Sequence, residues 1–187
     1  MIFNGNEATQ LIIRCFQNGG KLLLCGNGGS SADCAHIAGE LGKGFLKKRP
    51  LPAQLQADIG EEWAGKLQQA LPAIDLTAHT ALLTAVVNDL DGANIYAQQV
   101  MAFGRPGDVL LCVSTSGNAE NVRRAAVTAK ALGLSVVGLT GETGGKLRQL
   151  CDVCVRVDET ETYLVQEKHL QFYHRMCIDI ENAFFTE

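Results

Sequence analysis

Short apolar runs alternate along this chain with longer segments in which apolar residues recur every three or four positions. The runs are bounded by Gly, Pro or Asp and predict strands at about 21–25, 72–76, 108–114, 134–139 and 152–157. The longer segments predict helices at about 6–18, 30–42, 79–88, 92–103, 118–132 and 163–184. This alternation is typical of parallel strands joined by crossover helices. It therefore predicts an α/β fold with a doubly wound sheet of five strands.

The length of the chain favours one compact domain over residues 1–187, and 47% hydrophobic residues are enough for a substantial core. One segment, at about 43–71, departs from the alternation. Within it, KGFLKKRPLP is typical of a loop, and ADIGEEWAGKLQQALP predicts a short amphipathic helix. This excursion carries no cluster of reactive side chains, so packing or contact between subunits is favoured over a catalytic lid.

Charge and hydropathy disfavour several classes of partner. The formal net charge of -4, with one basic cluster at residues 47–49, does not favour nucleic acid. No stretch approaches the roughly 20 apolar residues of a membrane span, and MIFNGNEATQ lacks the pattern of a signal peptide. The seven cysteines mostly lie in apolar segments, which favours reduced, buried thiols over disulfides or a metal site at Cys151 and Cys154. We therefore expect a cytoplasmic protein.

Two turns of a kind that binds anions follow predicted strands. The first, CGNGGSS at residues 25–31, leads into a helix, and its glycines permit positive φ and close approach of a ligand to backbone N–H groups. The second, STSGN at residues 114–118, offers hydroxyl groups instead of glycines. Either turn alone has an alternative explanation as a helix cap. Two such turns, without a GxGxxG or P-loop sequence, favour a phosphorylated ligand smaller than a dinucleotide or a nucleoside triphosphate.

Two segments carry side chains suited to acid–base chemistry or metal binding. His36 and Glu40 are four residues apart and project from one face of the second predicted helix. The segment QEKHLQFYH adds nitrogen and oxygen atoms suited to zinc, from Gln166, His169 and His174. An isolated His–Glu pair is more often a surface pair. Its position next to the first turn, together with the second histidine segment, favours a functional site.

Four motifs stand out in the sequence: CGNGGSSADCAHIAGEL, VVND, STSGN followed by NV, and QEKHLQFYH. Together they resemble the motifs of the sugar isomerase (SIS) family. Within this family, the resemblance is greatest to the phosphoheptose isomerases. The likeness extends over nearly the whole chain from about residue 6 and leaves out the excursion near 53–70. It implies a flavodoxin-like, three-layer αβα sandwich with a five-stranded parallel sheet. It also implies a homotetramer with active sites between subunits.

The resemblance implies a metal-dependent aldose–ketose isomerase that converts sedoheptulose 7-phosphate to D-glycero-D-manno-heptose 7-phosphate, for bacterial surface heptose. The reaction moves a proton between adjacent carbons through an enediol, and Glu40 and His174 match the family's proposed base and acid. One zinc ion per active site would be held by His36, Glu40, Gln166 and His174. The matching substrate-contacting positions are Asn27, Gly28, Gly29, Ser30, Glu40, Asn88, Asp89, Ser114, Thr115, Ser116 and Gln166. By itself, the Asn88–Asp89 pair is more typical of a helix end or turn.

One spacing does not fit a single straight helix. Gln166 and His174 are eight residues apart, about 12 Å along a helix axis, which is too far for both to bind one ion. Either the helix is broken or the ligands come from different subunits, and the second explanation agrees with the oligomeric family. His169 lies on the same helix face as Gln166 and stays an alternative ligand.

Several positions depart from the pattern of the family. Ala119 replaces a hydroxyl residue in the second turn, and Tyr163 stands where relatives often carry a small or polar residue. The chain also lacks much of the leading helical segment that is common in the family. Isomerisation of another phosphosugar is therefore an alternative. A second alternative is a non-catalytic adaptor that binds the replication initiator. The branch of the family with this function tends to lose the final histidine, which is present here as His174.

Overall fold

The computed structural model describes residues 1–185, and one six-stranded sheet forms its centre. Its inner strands are continuous apolar runs because both faces of the sheet are covered. The strands are β1 (Ile2–Phe3), β2 (Leu22–Gly26), β3 (Ala73–Asp75), β4 (Val109–Val113), β5 (Ser135–Thr140) and β6 (Val153–Val157). They lie in the order β1-β6-β5-β4-β2-β3.

All five predicted strands form, and they pair in parallel. Counted among themselves, they follow the order 2-1-3-4-5 of flavodoxin-like sheets, in which the strand order reverses between β2 and β4. Ligands of open α/β sheets bind at this point, beyond the carboxyl ends of the strands. The topology therefore places the turns after β2 and β4 where a ligand is expected.

The sheet has a sixth strand and is mixed, so the expectation of a purely parallel, five-stranded sheet is wrong. The additional strand, β1, runs antiparallel to β6, with Ile2 opposite Val157 and Phe3 opposite Arg156. Two residues are too few for a hydrophobic alternation to be recognised. The strand at this edge is held by backbone pairing, which leaves no pattern in the sequence.

Helices cover both faces of the sheet and complete three layers. They are α1 (Gly5–Gln17), α2 (Gly29–Gly42), α3 (Ala53–Ile59), α4 (Glu61–Ala64), α5 (Thr80–Asp89), α6 (Ile95–Phe103), α7 (Glu120–Ala131) and α8 (Thr162–Phe184), with 3₁₀ helices at Gly92–Asn94 and Gly145–Gln149. One core packs α1, α2 and α8 against Leu22 and Leu24, and the other packs α6 and α7 against Leu23 and Cys25. Alternate residues of β2 thus enter opposite cores.

The excursion at 43–71 forms two short helices, α3 and α4, where the sequence predicted one. Gly60 lies between them with a φ of +90°, which interrupts the helix and which side chains other than glycine rarely permit. Ahead of α3, the backbone N–H groups of residues 45–47 donate to the carboxylate of Glu181 near the end of α8. The excursion is therefore attached to the helix that carries His174.

No helix within residues 1–185 combines the length and the apolar character that crossing a membrane requires. All seven cysteines carry free thiols, and six of them are buried, whereas Cys151 is partly exposed. The prediction of reduced thiols, most of them buried, is confirmed.

Candidate active site

The two predicted phosphate-binding turns lie side by side at the carboxyl ends of β2 and β4. These strands pair directly, with Gly26 opposite Val113, so the chain leaves the sheet at adjacent points. Between the turns lies a pocket of about 140 Å³, which we call the phosphate pocket. It is lined by Asn27, Ser30, Val113, Ser114, Thr115, Ser116 and Ala119. Helices α2 and α7 begin here, and the positive ends of their dipoles favour an anion in the pocket.

The first turn depends on glycine at two positions. Gly28 has a φ of +57°, which strains any residue with a Cβ. Gly29 is the first residue of α2, and a Cβ there would collide with the side-chain amide of Gln166 from α8. Gln166 therefore lies against the N-terminus of α2, beside the phosphate pocket.

The second turn is shaped by a hydroxyl group and a glycine. Ser116 Oγ accepts a hydrogen bond of 3.2 Å from the backbone N–H of Asn118. Gly117 has a φ of +65°, and a Cβ there would collide with the carbonyl oxygen of Gly144. The residue before α7 is Ala119, whose methyl group caps none of the first N–H groups of the helix. Among these first N–H groups, that of Val122 donates to Asn121 Oδ1 at 2.9 Å and that of Arg123 donates to Ala119 O.

Two residues that sequence reasoning did not assign to the site, Asn121 and Tyr96, connect the turns. The side-chain amides of Asn27 and Asn121 exchange two hydrogen bonds of 2.9 Å. Tyr96 Oη lies 2.5 Å from Gly26 O and 3.1 Å from Asn27 Oδ1. Asn121 belongs to the motif STSGN followed by NV, which was a usable signal. Tyr96 is 69 residues from Asn27, and no local pattern predicts their contact.

Helices α2 and α8 run side by side in the same direction. Gly29 faces Gln166 at their amino ends, and His36 faces Tyr173 two turns later. Seven residues of helix separate Gly29 from His36, a distance of about 10 Å. The helix pair therefore carries two sets of polar side chains, one beside the phosphate pocket and the other about 10 Å from it.

The second set brings together His36, Glu40 and His174, which we call the reaction cluster. His36 Nε2 lies 3.2 Å from Glu40 Oε1, and the ring centroids of His36 and His174 are 5.1 Å apart. Lys43 Nζ donates to Glu40 Oε2 at 3.0 Å, so each carboxylate oxygen faces a nitrogen. The side chain of His36 is 41% exposed and that of Glu40 is 14% exposed, so a ligand can reach both. The cluster combines imidazole and carboxylate donors suited to a metal with groups able to transfer protons.

Tyr173 and Asp33 lie behind the reaction cluster, and sequence reasoning assigned them no role. Tyr173 Oη is 3.0 Å from His36 Nδ1 and donates to Asp33 Oδ1 at 3.2 Å. Burial, and secondarily the charge of Asp33, raises the pKa of Tyr173 above its usual 10.0. Burial also raises the pKa of Asp33, against the opposing effect of Tyr173 and His36. A tyrosine among apolar residues of a helix is typical of a core position, so its sequence context did not point to the site.

Comparison with known proteins identifies the family. The family model of the SIS domain matches residues 4–70 and 63–141. Over 177 residues, the chain is 42% identical to the phosphoheptose isomerase of Rhodospirillum rubrum. The aligned residues cover 95% of this chain and 84% of the relative. The chain belongs to the SIS domain family. The predicted membership of this family is therefore confirmed, and with it the expectation of a phosphosugar isomerase enzyme.

Two solved structures of phosphoheptose isomerases are similar to this chain over most of its length. Phosphoheptose isomerase GmhA from Neisseria gonorrhoeae is similar with a TM-score of 0.79 and 36% identity, covering 95% of this chain and 85% of that one. A phosphoheptose isomerase from Francisella tularensis is similar with a TM-score of 0.81 and 33% identity, at the same coverage of both chains.

In this SIS-family chain, Gln166 lies apart from the other three predicted zinc ligands. Helix α8 is continuous from Thr162 to Phe184, so the explanation that required a broken helix is wrong. Gln166 and His174 lie about 12 Å apart along it. Within residues 1–185, no three His, Cys, Asp or Glu side chains form a group that could hold a metal ion. In one chain, His36 is therefore next to Glu40 and to His174 without the three forming such a group, and Gln166 lies beside the phosphate pocket.

His169, the alternative ligand, lies in the core. Its side chain is fully buried, and burial lowers the pKa of its imidazole to about 4. A ring enclosed in this way has no side open to an ion that must also meet a substrate. The structure therefore does not support His169 as a ligand of the reaction cluster.

Asn88 and Asp89 lie at the exposed C-terminal end of α5. Asn88 Nδ2 donates to Asp89 Oδ1 at 2.7 Å. Among the hydrogen bonds of residues 1–185, none joins this pair to the phosphate pocket or to the reaction cluster. Their local position is that of a helix end, and their contact with substrate stays a prediction.

Proposed function

We propose that this chain isomerises sedoheptulose 7-phosphate to D-glycero-D-manno-heptose 7-phosphate, in the biosynthesis of heptose for bacterial surface polysaccharide. The observation that carries the proposal is the position of the phosphate pocket and the reaction cluster on one pair of parallel helices, about 10 Å apart. In this sugar the phosphate is on C7 and the reacting carbons are C1 and C2, so its two ends suit two separated sites. Relatives named phosphoheptose isomerase support the choice of sugar.

The phosphate pocket would bind the 7-phosphate. The helix starts of α2 and α7 supply backbone N–H groups and positive dipole ends, and Ser30, Ser114, Thr115 and Ser116 supply hydroxyl donors. Gln166 of the same chain lies next to this pocket, against Gly29. These contacts would hold the carbon chain so that its other end extends toward the reaction cluster.

The reaction cluster would move the protons. Glu40 would take a proton from C1 of the ketose and return it to C2, through an enediol between the two steps. His174 would exchange a proton with the sugar oxygens, so that the carbonyl group passes from C2 to C1. Lys43 donates to one oxygen of the Glu40 carboxylate, and His36 Nε2 lies 3.2 Å from the other oxygen.

The donor types of the reaction cluster fit zinc, because two imidazoles and a carboxylate are among the ligands that zinc prefers, although the described residues of one chain do not form a closed metal-binding group. The four residues that would hold the ion are His36, Glu40, Gln166 and His174. When bound, zinc polarises carbonyl and hydroxyl oxygens as a Lewis acid. Because α8 is continuous, we propose that Gln166 comes from a neighbouring subunit of a homotetramer with active sites between protomers. The cytoplasmic location expected from the sequence remains part of this proposal.

Ala119 favours a second candidate, the isomerisation of a different phosphosugar. It lines the phosphate pocket at a position where the family carries a hydroxyl group, so the phosphate or its neighbouring carbon has one donor fewer. The non-catalytic adaptor is less well supported, since His174 is present and its ring lies within 5.1 Å of that of His36.

The test is a discontinuous isomerase assay with sedoheptulose 7-phosphate on metal-stripped protein, with and without added zinc. Glu40→Gln is compared with Glu7→Gln, a matched change at an exposed position of α1. We expect zinc-dependent turnover that falls about 10²- to 10⁴-fold in Glu40→Gln and is unchanged in Glu7→Gln.

Each other outcome of this assay rejects a particular part of the proposal. Full turnover without zinc contradicts the metal requirement. Turnover only with ketose phosphates of five or six carbons supports the second candidate. A folded protein that is inactive on all of these sugars favours the adaptor.

A further inference from the structure

We propose that Tyr173 and Asp33 are positioning residues, which hold the imidazole of His36 with its proton on Nδ1 and with Nε2 free toward Glu40. The inference rests on the proposed function for the use of that nitrogen, which would be the atom that binds the metal. Its structural basis is independent of any metal. Tyr173 Oη lies 3.0 Å from His36 Nδ1 and 3.2 Å from Asp33 Oδ1.

The tyrosine hydroxyl has one proton and makes two hydrogen bonds, so the direction of one bond determines the other. Asp33 Oδ2 is buried and has no hydrogen-bond partner among residues 1–185, which leaves the bond from Tyr173 as the support of this carboxylate. An ionised carboxylate is an acceptor only, so Tyr173 donates to it. The hydroxyl oxygen then accepts from His36, and the imidazole proton must be on Nδ1.

This hydrogen-bonded chain is rigid, because each member is anchored. Tyr173 is only 1% exposed. Its ring centroid lies 5.4 Å from that of His36 and 5.1 Å from that of His174, with edge-to-face geometry in both pairs. Asp33 is three residues before His36 on α2, so both project from neighbouring positions on one helix face. One tyrosine therefore sets the position of both imidazoles in the reaction cluster.

The consequence appears at the other nitrogen of the ring. With the proton on Nδ1, His36 Nε2 presents a lone pair 3.2 Å from the carboxylate oxygen of Glu40. Two acceptors face each other favourably only when a cation or a proton lies with them. Metal-binding histidines usually donate their second N–H to a partner that fixes the tautomer. Here a tyrosine backed by an aspartate would do so, and the gap between Nε2 and Glu40 would be prepared for a cation.

The first measurement needs neither metal nor substrate. Two-bond ¹H–¹⁵N correlation spectra of ¹⁵N-labelled, metal-free protein at about pH 8, where a free imidazole is neutral, report which ring nitrogen carries the proton. The signals of His36 are assigned by their loss in His36→Gln. We expect the Nδ1–H tautomer in the native chain and a mixture of tautomers in Tyr173→Phe, which keeps the ring and removes the hydroxyl. An Nε2–H tautomer in the native chain, or an unchanged spectrum in the variant, overturns the inference.

The second measurement is zinc affinity by competition with a chelator, for Tyr173→Phe and Asp33→Asn. We expect each to bind zinc about 10- to 100-fold more weakly than the native chain. Tyr96→Phe is the matched control, because it removes another buried tyrosine hydroxyl that bonds at the phosphate pocket, and its zinc affinity should not change. Equal affinities in all four proteins contradict the inference. Failure of the native chain to bind zinc rejects the metal part of the proposed function, while the tautomer spectra still decide this inference.

Discussion

The phosphate pocket and the reaction cluster lie on the same two helices but are built in different ways. The pocket consists of short stretches of consecutive residues, and its donors are hydroxyl and backbone groups at the starts of α2 and α7. The reaction cluster consists of single side chains, and His36 meets a residue 137 positions later in the chain. A local turn is sufficient to form the first, whereas the second requires that α2 and α8 pack in one register.

The reaction cluster also has a buried ionic support. The guanidinium of Arg49 pairs with Glu181 at 2.9 Å, and the side chains of both are almost fully buried. The same guanidinium donates to the carbonyl oxygens of Glu40 at 3.2 Å and Leu41 at 2.8 Å. Glu181 therefore acts on the backbone beside the predicted base through one arginine, although it lies on a different helix.

The largest effect should separate the two regions by kinetics. We expect His174→Gln to lower kcat about 10³-fold with little change in KM, because it removes an acid–base group that acts on the reacting oxygens. Ser116→Ala, in the phosphate pocket, should instead raise KM and leave kcat nearly unchanged. The comparison is made by steady-state kinetics with the phosphosugar. A large loss of kcat in Ser116→Ala would show that the pocket takes part in the chemical step.

The next effect concerns stability. Glu181→Gln leaves Arg49 charged and buried without its partner, so we expect a loss of about 3 kcal/mol in the free energy of unfolding, measured with urea. The double variant Arg49→Met/Glu181→Leu should recover most of it, because no buried charge remains. If the single variant is as stable as the native chain, the ion pair does not support this end of the molecule.

The same variant gives a pH dependence with a definite sign. Burial alone raises the pKa of Glu181, but the N–H groups of Phe45 and Leu46 and the guanidinium of Arg49 more than offset it, so the pKa lies below its usual 4.5. A carboxyl group whose pKa is lower in the folded state than in the unfolded state stabilises the fold at pH values above its unfolded-state pKa. This stabilisation is lost as the pH falls through its folded-state pKa. The stability difference between the native chain and Glu181→Gln should therefore be full at pH 7 and shrink below about pH 4.5. A difference that is constant from pH 7 to pH 3 would contradict this.

A smaller effect is expected in the second turn. Gly117→Ala places a Cβ at positive φ and against the carbonyl oxygen of Gly144, so we expect KM to rise about tenfold and stability to fall by about 1–2 kcal/mol. Gly39→Ala is the matched change, since Gly39 lies within α2 and nothing is within 4 Å of its added Cβ. Calorimetry should show a higher Tm for Gly39→Ala and a lower one for Gly117→Ala.

The smallest effect should come from restoring a donor to the phosphate pocket. Ala119→Ser adds a hydroxyl group at the start of α7, and one additional hydrogen bond typically contributes about 0.5–1.5 kcal/mol. KM for a phosphosugar should fall by up to about tenfold, whereas Ala131→Ser, at the exposed end of α7, should have no effect. An unchanged KM would mean that the phosphate lies elsewhere in the pocket.

The same contrast explains what sequence reasoning could predict. The five parallel strands, the main helices and both turns follow from apolar periodicity and from glycine and hydroxyl residues that are adjacent in the chain. The antiparallel β1 and the break at Gly60 were missed because they depend on edge pairing and on one backbone angle. Tyr96, Asn121 and Tyr173 were missed because their partners are distant in sequence, although two of them belong to recognised motifs.

By itself, the sequence determined the α/β class, the strand–turn–helix units that form the phosphate pocket, and, through four motifs, membership of the SIS domain family. Only the tertiary structure decided that α8 is continuous, that it runs parallel to α2, and that Gln166 lies beside the pocket while His174 lies beside His36. The physical reason is the range of the interactions. Periodicity and turn chemistry act between neighbours in the chain, whereas the alignment of two helices is set by the packing of a whole core.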